Sequence, residues 1–500
     1  MRDTSRSSAR LGPLAIIVSL ALLLRGIALT PYSMHHPDEL FQYLEQSYRL
    51  LTGHGVIPWE YRYGIRSWFV PVLGVPLMAL GEWIAPGTAL YLKMPVLLSV
   101  AASVSIILSA WFIGRRTSMT HAAIAAAVPA IWFEQIFFAS HLLTSVLATG
   151  CLLPALALLT SDNTTPRRLV IAGFLVGIGI VLRFQYIPAA GVLVLLTCRL
   201  DFRGKWVPVA MGGMAALLIS CIVDIAMGQT PFGWIIENVR QNLVMDRAAG
   251  YGVSGPMEYF ALMGLYWRWA ALPILLLIIP AAGRHRTLLW VAVANIAFHM
   301  LIGHKEYRFV FLSVTIFLLL AALGSADLVE RLRRLPRART ALRLAPGLVL
   351  LGWAGTSASL AMSEPMKSRW SAFSPALELE QEASHLPGLC GLAVHELPFW
   401  RTGGMSYLRH PTPLYFTSWT DSIRMDRHSF VAATPAFNAL IMPAASTMPV
   451  PDGFRQVTCA GTGSIDDVSP GLCLYVRSGG CAPAAAKDWE VNRLLIRTDQ

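Results

Sequence analysis

The chain has 500 residues, 55% of them hydrophobic and only 14% charged, with a formal net charge of +11. So little polar surface excludes a water-soluble globule, because the apolar side chains must meet lipid. The excess cations sit mostly in short loops between apolar runs, where they act as topology signals, so nucleic acid is not an expected partner.

In chain order, Arg2, Arg6 and Arg10 precede an apolar run over about residues 11–30 that holds Arg25 and has no small-residue cleavage site. It reads as a retained first span, with Arg25 snorkelling toward the interface. A cytoplasmic N-terminus delivers Pro31 onward to the far side, and Arg115/Arg116 mark the next return. Of the two apolar stretches between, 92–114 reads as the span. Residues 68–84 read as a juxtamembrane or re-entrant helix, because Trp68, Pro71, Pro76, Glu82 and Trp83 suit an interface. The markers Arg167/Arg168, Arg199/Arg203/Lys205, Arg284/Arg286 and the block Arg331 to Arg343 then bracket pairs of apolar runs. These pairs are 119–139 with 141–160, 169–182 with 186–198, 206–227 with 258–281, and 287–303 with 307–324. A last helix at 344–361 exports the C-terminal segment.

The expected fold is therefore an all-α polytopic membrane protein with about 11 transmembrane helices by the length rule. Its membrane domain covers 1–361, with a first extracytoplasmic loop at 31–91. Residues 362–500 are polar and Pro-rich, with β-type runs at Gly391 to His395, Pro413 to Thr417, Ala436 to Met442 and Leu472 to Arg477, and read as a soluble α/β domain outside the membrane. Cys390, Cys459, Cys473 and Cys481 fall there, where disulfides are permitted; three pairings are possible, and Cys459 with Cys473 could staple a hairpin. Cys151, Cys198 and Cys221 fall in membrane helices and read as packing residues. Neither a Walker loop nor a dinucleotide fingerprint occurs, so an ATP-driven pump gets no support and no cofactor is expected.

The chemistry-bearing residues form two clusters. After the first span comes His35-His36-Pro37-Asp38-Glu39-Leu40-Phe41-Gln42-Tyr43-Leu44-Glu45. Proline at a first helical position and acids in the first turn suit any helix start. The spacing adds that Asp38, Gln42, Glu45 and Arg49 share one polar stripe, with Leu40, Leu44 and Leu51 on an apolar one. Trp59-Glu60-Tyr61 and Arg66-Ser67 add aromatic rings, an acid and a cation, which suit the faces and hydroxyls of a sugar and equally an interfacial belt. The second cluster is His304-Lys305-Glu306-Tyr307-Arg308-Phe309, between two late spans. Such a run of ionisable groups at a membrane boundary fits a water-filled site where cations grip a lipid-linked phosphate, or headgroup anchoring. Arg183 and Asp224, near far-side helix ends, invite the same two readings. His35/His36 are adjacent and His304 is remote, which is not a metal-ligand spacing, so no metal site is expected.

These residues resemble glycosyltransferase family 22 of the GT-C superfamily, the mannosyltransferases of GPI-anchor and dolichol-linked glycan assembly. The loop His36-Pro37-Asp38-Glu39 with Gln42, Glu45, Gly55, Trp59-Glu60-Tyr61 and Arg66-Ser67 looks closest to the GPI third-mannose transferase type. His304 to Phe309 resembles the family's second signature. Asp224 and the stretch Asn238 to Gly252, with Asn242 and Tyr251-Gly252, resemble its mid-chain loop. The likeness spans roughly residues 14–325. The family's Arg-Pro-Thr is replaced here by Arg183-Phe184-Gln185, and beyond the spans only a faint likeness around His395 to Tyr415 remains. The low share of Lys relative to Arg suggests a bacterial chain, placing the site on the periplasmic face of an inner membrane; a eukaryotic chain would carry it on the luminal face of the endoplasmic reticulum.

The resemblance implies a GT-C fold, a polyprenyl- or dolichyl-phosphate sugar donor, mannose as the sugar, a glycan or lipid-linked acceptor, and inversion at the anomeric carbon. Asp38 is then the base, with Glu39 positioning the acceptor or sharing that role, and His304, Lys305 and Arg308 hold the donor phosphate. His36, Gln42, Glu45, Trp59, Glu60, Arg66, Arg183, Asp224, Asn242 and Tyr251 line the substrate site. This reading requires the first-loop carboxylates and the late basic residues to share one aqueous chamber. A transporter or lipid-carrier flippase, and a non-catalytic family member, are the rival readings.

Overall fold

The computed structural model describes residues 4–30, 32–334, 344–418, 423–461 and 471–498; among the topology markers, Arg2 and residues 335–343 of the Arg331 to Arg343 block lie outside the described residues. The chain is predominantly helical. Among the described residues, Leu90–Arg115, Phe202–Ala226, Glu258–Ala282 and Tyr307–Arg333 are long and apolar enough to cross a membrane, and counting bent helix pairs as single spans raises the number from four to six. Fewer helices than the expected eleven meet this length test, because several apolar runs end early: Thr144–Leu159 has 16 residues and Pro166–Leu182 has 17. The expected run 119–139 is likewise two helices, Met119–Ile131 and Phe133–Ala139, bent by 58°.

The chain divides into two units: residues 1–29 with 96–367, and residues 30–95 with 368–500. The loop after the first span, assigned from sequence to the membrane domain, thus packs with the C-terminal segment.

In the first unit the helix Tyr307–Arg333 is almost wholly buried, whereas Phe202–Ala226 and Glu258–Ala282 turn apolar side chains such as Leu218, Ile222, Leu272 and Ile279 outward, as lipid-facing helices do. Helices Pro166–Leu182 and Val207–Ala226 cross on glycine: a Cβ on Gly212 would collide with the Val170 carbonyl oxygen, and one on Gly173 with that of Val209. Any larger residue would force the backbones apart. Arg25 does not snorkel. It is fully buried and donates to Ser103 Oγ (2.9 Å) and to the carbonyls of Ala21 (3.1 Å), Pro129 (3.0 Å) and Ala130 (3.0 Å). Trp132 turns extended at the bend, so the last carbonyls of Met119–Ile131 lack a continuing helix. In a lipid-facing fold those acceptors need a donor, and the Arg25 guanidinium fork supplies it.

The second unit is built on a five-stranded sheet: β1 (Leu392–Val394), β2 (Leu414–Phe416), β3 (Ala439–Pro443), β4 (Arg455–Ala460) and β5 (Leu472–Val476), in the order β2-β1-β3-β5-β4. β2, β1 and β3 are parallel, while β3 with β5 and β4 with β5 are antiparallel. Four strands coincide with the apolar runs read from the sequence. β4 escaped because it is a polar edge strand, largely exposed. Of the three possible disulfide pairings the fold selects Cys390–Cys481 and Cys459–Cys473. The second joins residues directly opposed in the β4–β5 register.

Residues 30–95 are fastened to this domain by backbone and side-chain bonds. Met34 N–H donates to the Ala372 carbonyl (3.3 Å), His385 Nε2 to that of Gly87 (3.0 Å), Ile57 N–H to Asn492 Oδ1 (2.8 Å), and Arg409 pairs with Glu82 at 2.7 Å.

Candidate active site

Within the second unit the signature loop opens with Pro37 and continues through a π-turn over Glu39–Leu44, closed by the Glu45 N–H bonding the Leu40 carbonyl, before a regular helix at Glu45–Thr52. This wider turn changes the side-chain phase on which the polar stripe was read. Asp38 and Gln42 stay together; Glu45 rotates away.

Asp38, about one-fifth exposed, has His36 Nδ1 at 3.3 Å from Oδ1 and Arg66 Nη2 at 3.8 Å from Oδ2. Gln42 Nε2 donates to Glu60 Oε1 (2.9 Å), and the Tyr61 hydroxyl donates to the Gln42 carbonyl (2.7 Å). Desolvation, aided by the charge of Asp38, pushes the Glu60 carboxyl up to about 7, against the pull of Arg66 and Gln42. His36, Asp38, Gln42, Glu60 and Arg66 thus form one connected group. It offers a partly exposed carboxyl, a second carboxyl that titrates near neutrality, and a guanidinium.

Glu39 is buried, and its Oε2 accepts the His35 N–H (3.2 Å). One charged neighbour is Lys93, itself buried, whose Nζ lies 3.5 Å from the Ser33 carbonyl oxygen. Lys93 was not among the residues read from the sequence, although a lysine at the head of an apolar run is a legible signal. Trp59 makes an edge contact with Tyr63, 6.2 Å between ring centroids.

Glu45, expected in the sugar pocket, is wholly buried and occupied otherwise. Its Oε1 accepts the N–H groups of Val56 (2.7 Å) and Met405 (3.0 Å), and its Oε2 accepts that of Ser406 (2.9 Å). Burial raises its carboxyl above the ordinary range, and these hydrogen bonds partly oppose the rise. A neighbouring buried acid, Glu380, accepts the Gly403 N–H at 2.6 Å. The two carboxylates thereby cradle the loop Thr402 to Ser406.

In the first unit Glu306 organises the second signature. Arg308 binds it side-on, Nε to Oε2 at 2.6 Å and Nη2 to Oε1 at 3.0 Å, and His304 Nε2 reaches Oε1 at 3.0 Å. His304 Nδ1 faces the Gly252 carbonyl (3.1 Å), so both ring nitrogens meet acceptors; the bond to Glu306 leads in raising the imidazole above its ordinary value. Lys305 Nζ donates to the carbonyls of Ser254 (3.1 Å) and Ile302. Arg183 stacks on Phe309, its Cζ 4.6 Å from the ring centroid, and lies 5.4 Å from that of Tyr186. With Lys305 and Arg183 beside the Glu306 trio, the cluster is positive overall, suited to an anionic phosphate.

Of the mid-chain residues, Tyr251 touches this region. The Tyr251 ring stands 6.0 Å from that of His304. Asp224, fully buried, accepts through Oδ2 the N–H of Phe232 (2.9 Å), a residue held at φ 56° ahead of the helix Gly233–Val239. Asn242 is partly exposed on a π-turn at Arg240–Val244.

The sequence profile described as the Alg9-like mannosyltransferase family matches residues 16–369. GPI mannosyltransferase 3 of Yarrowia lipolytica is 25% identical over 330 residues, 64% of either chain. GPI mannosyltransferase 3 of Trypanosoma brucei brucei is 37% identical over 81 residues, 14% of either. The chain therefore spans 64% and 14%, respectively, of the length of these relatives. In fold it is similar to ArnT from Cupriavidus metallidurans bound to undecaprenyl phosphate, with a TM-score of 0.58 at 14% identity over 93% of this chain and 98% of that one. It is also similar to the Archaeoglobus fulgidus oligosaccharyltransferase tethered with an acceptor peptide, with a TM-score of 0.51 at 12% identity over 86% and 68% of the respective chains.

Proposed function

The chain belongs to the Alg9-like mannosyltransferase family, and from that footing we propose that it transfers mannose, with inversion, from a polyprenyl- or dolichyl-phosphate carrier to a glycan or lipid-linked acceptor. The observation that carries this reading is the partly exposed Asp38 carboxylate between His36 and Arg66, in the loop where the family resemblance calls for a base. The acceptor hydroxyl oxygen attacks the anomeric carbon while Asp38 takes its proton. The bond from that carbon to the phosphate oxygen breaks, and its electron pair leaves with the carrier phosphate. Lys305, His304 and Arg308 are assigned to that departing charge, supported by the positive balance around Glu306. The donor brings its own activation in the phosphodiester. Gln42, Glu60 and Arg66 are assigned to the sugar and acceptor hydroxyls, and the basic loops are taken as cytoplasmic across about eleven crossings. The exported face is then periplasmic in a bacterial inner membrane.

The test is transfer by the purified protein in nanodiscs given polyprenyl-phosphate-mannose, scored as sugar lost from the carrier in the presence of candidate acceptors. Asp38→Asn abolishes turnover with expression and membrane insertion intact, and Lys305→Ala raises the donor KM. Wild-type turnover by the Asn variant removes Asp38 from the chemistry.

A further inference from the structure

A buried carboxylate outside both signature clusters accepts a hydrogen bond from a residue of one of them. Glu134 opens the helix Phe133–Ala139, directly after the bend at Trp132, and is 1% exposed. Its Oε2 accepts the indole N–H groups of Trp132 (2.8 Å) and Trp267 (2.9 Å), and its Oε1 accepts the hydroxyl of Tyr307. Tyr307 lies between Glu306 and Arg308 in the second signature. Its ring is buried, 4.5 Å from the Tyr266 centroid, while its neighbours pair with one another. A single residue thus ties three separate pieces of chain, and one of them is the backbone that carries His304, Lys305 and Arg308.

We propose that Glu134 is a positioning residue: through Tyr307 it fixes the 3₁₀ turn Tyr307–Val310 and with it the cations assigned to the donor phosphate. The effect on donor use rests on that assignment; the hold on the loop does not. Burying an acid in apolar surroundings is costly unless its oxygens are satisfied, and here three neutral donors converge on them. The bend supplies the opportunity, since it points the first residues of Phe133–Ala139 toward Trp267 and Tyr307 instead of continuing the preceding helix.

Tyr307→Phe removes one oxygen and leaves the ring packing. Glu134→Leu removes all three acceptor contacts. Glu134→Gln retains an oxygen for both indoles and can turn its amide N–H toward the Tyr307 oxygen, so it rescues. Trp132→Phe is the control that alters the hub at a donor whose contacts are with Glu134, Phe133 and Trp353. In substrate-free nanodiscs, hydrogen exchange over residues 304–310 speeds up in Tyr307→Phe and Glu134→Leu and stays near wild type in Glu134→Gln and Trp132→Phe. In transfer assays the first two variants raise the donor KM about tenfold, the equivalent of one lost charge-assisted hydrogen bond, with the acceptor KM unmoved. Wild-type exchange in Tyr307→Phe overturns the proposal, as does a Gln variant as damaged as the Leu variant. Faster exchange with an unchanged donor KM upholds the hold on the loop and takes down the phosphate assignment instead.

Discussion

Removing the Glu45 carboxylate tests whether that residue fastens the first loop to the C-terminal domain or belongs to a sugar pocket. Glu45→Ala strands three buried N–H groups, those of Val56, Met405 and Ser406. At roughly 1–3 kcal/mol for each unsatisfied group, the gross cost is about 3–9 kcal/mol. That is comparable with the whole stability of a domain, about 5–15 kcal/mol. Glu45→Gln keeps Oε1 as acceptor for Val56 and Met405 but turns an amide N–H toward the Ser406 N–H, so it forfeits one contact, roughly 1–3 kcal/mol. For a unit of this size that lowers the thermal midpoint by on the order of 2–12 °C. The pH dependence adds a second signature. The folded-state carboxyl is raised above its ordinary value of 4.5, so its contribution is fully present below that value and is lost as pH rises through the folded-state pKa; the Gln variant flattens this slope. The assay is hydrogen exchange and thermal unfolding in nanodiscs across pH. Unchanged protection of the Val56, Met405 and Ser406 amides in Glu45→Ala refutes the fastening role.

Glu60→Gln mimics the protonated form of a carboxyl that titrates near 7, so its transfer rate matches wild type below that pH and diverges above it; parallel profiles across pH 5–9 refute the assignment. Cys390–Cys481 closes a span of 91 residues and Cys459–Cys473 one of 14. Loop-closure entropy then makes Cys390→Ser the costlier change, about 4.6 against about 3 kcal/mol, read as the difference in denaturation midpoint. Arg25→Met leaves the Pro129 and Ala130 carbonyls without their donor and costs roughly 3 kcal/mol or more, measured as loss of monodisperse protein and a lower midpoint; an unchanged midpoint contradicts the capping role.

Both signature clusters were legible because ionisable groups at membrane boundaries are rare and so stand out against apolar runs. Their partnering was less so. The polar stripe Asp38, Gln42, Glu45, Arg49 assumed a regular helix, and the π-turn at Glu39–Leu44 sends Glu45 elsewhere. Arg25 reads as a snorkelling residue until the carbonyls exposed by a distant helix bend come within its reach. Lys93 and Glu134 look like stray charges in apolar sequence because their partners lie far along the chain or in another helix.

Composition and periodicity by themselves determined that this chain lives in lipid, where its charges cluster, and which apolar runs beyond the last span become strands, since those properties follow from local hydropathy and charge. The disulfide pairing, the union of residues 30–95 with the C-terminal domain, and the choice of which acids stay exposed and which hold backbone amides were decided only by the tertiary structure. Each depends on which remote donors and acceptors meet once water is excluded, and local sequence carries no record of that meeting.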